Sequence, residues 1–141
     1  MSINKSAKSN IVALELNEEE LTLLTRQTDR MYLHKTRSSP REVRRREEEF
    51  KLLKAVMNRL ATLQGEGPYE LNLRRKDLRV LESICLTSIK LLIDSIILGY
   101  AAREQKEQDP ILKQKYAQYR SRAEKSLDVF TKLNNKIQVL L

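Results

Sequence analysis

The side chains best suited to recognition chemistry in this chain are tyrosines and arginines. Tyr32, Tyr100, Tyr116 and Tyr119 each offer a flat apolar ring with a polar tip, and Arg37, Arg41, Arg44 and Arg45 offer forked donors that suit carboxylates and phosphates. The basic residues are concentrated: Lys35, Arg37, Arg41, Arg44, Arg45 and Arg46 face a single acid, Glu42, within segment 35–46, in a chain of net charge +8. A second cationic cluster, Arg74-Arg75-Lys76, stands where a helix should begin. Cations there oppose the helix dipole at up to about 0.3–1 kcal/mol each. The cluster either binds an anion or pairs with the acidic Glu18-Glu19-Glu20, between halves of the chain or across a dimer. A helix that starts one turn earlier would dilute the cost.

Catalytic sets are excluded mostly by subtraction. One histidine and one cysteine cannot build a zinc site, and Glu-x-x-His pairs for a di-iron bundle are missing. Three glycines supply neither a phosphate loop nor a dinucleotide fingerprint. The sequence therefore predicts a non-enzyme with no metal and no cofactor. One stretch, His34-Lys35-Thr36-Arg37-Ser38-Ser39, is distantly similar to the phosphoacceptor motif of histidine phosphotransfer domains, which are four-helix bundles. The resemblance implies His34 as phosphoacceptor and Arg37 as its cation. Ser38 stands where the family has Gly, Thr36 where an apolar residue is usual, and Pro40 interrupts the helix that normally continues.

Three functions are thus weighed. The first is an interaction or adaptor protein that binds a macromolecular partner, in the first place a protein, through a Tyr/Arg-rich bundle end. The second is nucleic-acid binding by segment 35–46, although Arg44 and Arg45 precede Glu48 and Glu49 at helical i,i+4 spacing. The third is phosphotransfer at His34. A homodimer is the base-rate oligomer. Cys85 has no partner thiol in the chain, and no apolar run follows the two N-terminal lysines, so a reducing, cytoplasmic location fits. The most apolar stretch, 83–102, contains Lys90 and Asp94, which suit an i,i+4 ion pair on a soluble core helix better than a membrane span.

The elements that must position these residues read as helices. Residues 1–13 are a small, polar tail. Asn17 and Glu20 form a capping box for a helix ending near Thr36, and Ser39-Pro40 starts a second that runs to Gln64. Gly65-Glu66-Gly67-Pro68 breaks the chain, and 65–73 is a linker. A third helix covers about 74–107, apolar nearly all round over 84–98. Asp109-Pro110 starts a fourth that runs to the C-terminus. The fold class is all-α: an antiparallel four-helix bundle of two hairpins, 17–64 and 74–141, in a single domain from 14 onward, with essentially no sheet.

The halves also align. Leu14, Leu16, Leu21 and Leu24 fall on Leu71, Leu73, Leu78 and Leu81 at an offset of 57, and 45–63 falls on 122–140 at an offset of 77. Internal duplication is the favoured explanation. The 20 extra residues would lengthen the second hairpin by about 15 Å at 1.5 Å per residue, so that it overhangs the first. Turns near 37–39 and 107–109 would then share one end of the bundle, bringing the tyrosines and arginines together.

Overall fold

A computed structural model describes residues 11–36, 41 and 47–141, with side chains omitted at 34–36. Strand β1 (Ile11–Leu16) leads into helix α1 (Glu18–Thr36), followed by α2 (Glu47–Ala61). Strand β2 (Tyr69–Arg74) leads directly into α3 (Arg75–Leu91), a π-helical turn (Leu92–Ile97), and α4 (Leu98–Lys106). Helix α5 (Pro110–Leu140) closes the chain. The molecule is mostly helical, as the composition implies. The expected absence of sheet is wrong: β1 and β2 pair antiparallel, from Ile11 opposite Arg74 to Leu16 opposite Tyr69.

The reason lies in a short alternation. Val12, Leu14 and Leu16 turn inward between exposed Ile11, Ala13 and Glu15, and Leu71 and Leu73 do the same between exposed Glu70, Asn72 and Arg74. Two six-residue strands are too short to stand alone, but paired they form a lid whose apolar face is covered by the helices. Residues 11–13, assigned to a tail, and 69–73, assigned to a linker, are therefore structural. The helix at 75 does not begin a turn earlier, because the strand occupies that turn.

Helix boundaries follow the caps. Asn17 N–H donates to Glu20 Oε1 at 3.0 Å and Glu20 N–H donates to Asn17 Oδ1 at 2.8 Å, completing the capping box. Helix α2 ends at Ala61, short of the expected Gln64, with Thr62 N–H donating to the Arg59 carbonyl and Leu63 N–H to the Leu60 carbonyl, both at 3.2 Å; Gly65 lies beyond that end at φ +85°, a left-handed turn conformation that favours glycine. Asp109 Oδ1 accepts from Ile111 N–H at 3.0 Å, with Pro110 at the first helical position. The expected start of α2 at Ser39-Pro40 lies outside the described residues.

Burial follows the alignment of the two halves closely. Leu14/Leu71, Leu16/Leu73, Glu20/Asp77, Leu24/Leu81 and Thr28/Cys85 are buried in both members at the 57-residue offset. Leu53/Phe130, Val56/Leu133 and Leu60/Ile137 are buried in both at the 77-residue offset. Leu14 pairs across the ribbon with Leu71, the residue it aligns with. Polar contacts repeat too: Lys136 Nζ donates to the Glu15 carbonyl at 3.1 Å, and the aligned Arg59 donates to the aligned Asn72 carbonyl at 2.7 Å.

One region departs from expectation. The stretch 84–98 is not buried all round, for Leu86, Leu91, Ile93 and Leu98 are 41–58% exposed. The π turn lies inside it, and each extra residue per turn rotates the following face.

Candidate functional site

Helix α4 and the first turns of α5 form an arm whose main packing is between themselves and against the π turn. Three of the four singled-out tyrosines meet there. The Tyr100 ring lies 6.3 Å from Tyr116, nearly parallel, and 5.3 Å from Tyr119, tilted by 42°. The Arg103 guanidinium sits 5.8 Å from the Tyr100 ring centre, within cation–π range. Arg120 pairs with Glu104 at 3.0 Å, tying the two helices of the arm together, and with Glu124 on its own helix at 3.5 Å. Ile111 at the tip is 69% exposed, Leu112 beside it is also open to solvent, and Tyr119 is exposed further along α5. A cluster of half-buried and exposed tyrosine rings, with exposed aliphatic neighbours and a guanidinium against it, can bind a complementary surface by burial.

Tyr32 is placed elsewhere. It packs edge-on against Phe50 at 5.7 Å, joining α1 to α2. Arg41 is exposed, and Arg37, Arg44 and Arg45 lie outside the described residues, as does most of the basic segment 35–46. The His34 side chain is likewise outside them. Arg103, Ile111 and Leu112 were not singled out from the sequence. The available signal was an Ile-Leu pair directly after Asp109-Pro110, at a hairpin tip where a bundle offers nothing to cover it.

The Arg74–Lys76 cluster is partly satisfied. Arg74 Nε lies 3.3 Å from Asp77 Oδ2, while Asp77 is fully buried and its Oδ1 has no hydrogen-bond partner. Lys76 and Arg79 line a cleft of about 410 Å³ with Glu49 opposite, floored by Met31, Leu53 and Ile84. A related cleft between α1 and α5 has the charges reversed, with Glu18 and Glu19 on one wall and Arg122 and Lys125 on the other. Arg75 and Lys76 align with those two glutamates at the 57-residue offset. Lys76 and its aligned Glu19 thus each line a cleft, with opposite charge, and no direct pair between the two charged clusters occurs among the described residues.

Nucleophile chemistry has little to work with. Cys85 is fully buried, and its thiol is pushed up to about 12, first by burial and then by the negative charge of Glu20. A thiol held neutral at physiological pH is neither nucleophile nor ligand. Among the described residues, no three His, Cys, Asp or Glu side chains come together to hold a metal. Arg75–Lys106 is long and apolar enough to cross a membrane by length and composition, and 22% of its most apolar window is buried. No protein-family model, curated protein or solved structure matches the chain.

Proposed function

We propose that this chain is a non-enzymatic, cytoplasmic interaction protein that captures a protein partner with the α4–α5 arm. The observation that carries the proposal is the Tyr100–Tyr116–Tyr119 platform, edged by Arg103 and crowned by exposed Ile111 and Leu112. Tyrosine and arginine are the residues that dominate binding energy at protein interfaces, and an apolar tip gives them a dry centre. The architecture behind the arm is best explained as a duplicated strand–helix–helix unit. Burial and backbone contacts repeat at matched positions, and the 20 residues added to the second copy are those that make the arm. On this reading, one half keeps the fold closed and the other reaches out.

The test is capture from a cell lysate by the wild type and by a triple variant, Arg103→Glu, Ile111→Asp, Tyr119→Ala. Loss of a hot-spot cluster predicts at least roughly a thirtyfold weakening of the specific partner, with the fold intact. Equal capture by both proteins sinks the proposal.

A second reading, nucleic-acid binding, is favoured by one observation. Arg26 and Arg30 line a cleft along α1 and make no ion pair among the described residues, extending the basic segment 35–46 backward by two turns. The β1–β2 ribbon does not help, since its outward face sets Glu15 opposite Glu70. Capture that vanishes on nuclease treatment would transfer the function to this reading.

A further inference from the structure

The outward face of the long helix 75–106 carries a pattern that is complementary to its own reverse. Leu86 and Leu98 lie six positions either side of Leu92, and Lys90 and Asp94 lie two positions either side of it. All four are exposed, with Leu86 at 48% and Leu98 at 58%. Spacings of four residues put them along one side of the helix, and Ile93, 41% exposed, borders the same stripe. The ion pair that i,i+4 spacing allows between Lys90 and Asp94 is not made, and neither residue pairs with any other described residue. Leu92 itself points inward, so the axis of the pattern passes through the helix at a buried residue.

We propose that this stripe is the interface of a homodimer in which two copies of α3 and its π turn pack antiparallel about a twofold axis at Leu92. In that arrangement Leu86 of one copy meets Leu98 of the other, and Lys90 meets Asp94 at both ends of the seam. An isologous interface requires a patch complementary to itself under a half-turn, and a stripe with apolar ends and opposite charges equidistant from its centre meets that requirement. The charge order selects the antiparallel register, because a parallel pairing would set Lys90 against Lys90 and Asp94 against Asp94. Ile111 and Leu112 at the tip and Tyr119 further along α5 are not part of the seam, so dimerisation leaves the proposed partner surface free and pairs two such surfaces in one particle. The competing occupant of an apolar helix face is a lipid bilayer. Two unpaired charges at the middle of the face argue against it.

The experiment is light scattering with chromatography on the full chain at tens of micromolar, with liposome sedimentation in parallel. The wild type should elute at twice the 16.5 kDa chain mass. Lys90→Asp and Asp94→Lys alone each place like charges across the axis and should give monomers. The double variant Lys90→Asp/Asp94→Lys restores complementarity with the same composition and should return the dimer. Circular dichroism on each protein keeps loss of dimer distinct from loss of fold. A wild type that is monomeric, a dimer indifferent to the single reversals, a double variant that stays monomeric while folded, or sedimentation with neutral liposomes that Leu98→Asp abolishes would each overturn the proposal.

Discussion

The two halves place an acid at the same buried position, Glu20 in α1 and Asp77 in α3, yet supply it differently, and this yields an asymmetric prediction. Glu20 is 3% exposed; its Oε1 accepts from Asn17 N–H at 3.0 Å and from Lys136 Nζ at 2.7 Å. Truncation by Glu20→Ala removes the reciprocal half of a capping box, worth about 1 kcal/mol. It removes an ion pair whose lysine is 42% exposed, and solvent screening limits that contact to about 1 kcal/mol. Lost burial of one methylene adds roughly 0.8 kcal/mol. The total is about 2–3 kcal/mol. Asp77→Ala gives up only a 3.3 Å contact with Arg74, which is half-exposed, and it also removes Oδ1, buried without a partner. An orphaned buried acceptor costs roughly 1–3 kcal/mol, so its removal offsets the lost contact and the net change should lie within about 1 kcal/mol of zero. Urea unfolding of the two variants, read as midpoints at unchanged m, decides the matter. Asp77→Ala costing as much as Glu20→Ala would mean that the two side chains are supported equally, against the contacts seen.

Cys85 gives a pH-dependent prediction. Its thiol stays protonated in the fold up to about pH 12, whereas in the unfolded chain it ionises near 9. The stability it contributes is therefore complete below about pH 9 and is lost as pH rises toward 12, at up to roughly 1.4 kcal/mol per unit. Cys85→Ala should flatten that part of the stability curve relative to the wild type, and identical slopes would contradict the assignment. Leu24→Ala and Leu81→Ala, both at fully buried aligned positions, should each destabilise by about 2–5 kcal/mol and agree to within about 1 kcal/mol in thermal unfolding. A near-neutral effect at either one breaks the equivalence of the halves.

The helices were legible because their ends are marked by local chemistry. Asn17 with Glu20, and Asp109 with Pro110, each fix a boundary through bonds within a few residues, which a sequence displays directly, whereas Gly65 lies beyond the end of α2 at Ala61. The strands were not. Ile11–Leu16 and Tyr69–Arg74 alternate for only six residues each, and their hydrogen bonds go to a partner nearly sixty positions away. The same alignment that pointed to duplication contained the answer, for Leu14 and Leu71 are both aligned and paired, but an alignment does not say that equivalent segments touch. The site was legible in part. Tyr100, Tyr116 and Tyr119 stand close to the turn near 107–109, and their rings meet. Tyr32 shares only its nearness to a helix end, and it packs against Phe50 instead. Apolar character between 84 and 98 reads as burial. The chain instead spends part of it on the outward face, where Leu86 and Leu98 stand exposed.

The account rests on the α4–α5 arm being an appendage for binding, set on a core that folds without it. Excising residues 99–118 removes about ten residues from each side of the arm, cancels the difference between the 57- and 77-residue offsets, and leaves every aligned buried pair in place. Calorimetry on the shortened chain, run beside lysate capture, measures both properties at once. A closed core requires one cooperative transition, which should appear together with complete loss of the specific partner. A shortened chain that fails to fold, or one that folds and still captures the same partner, would show that the arm is not a separable binding appendage.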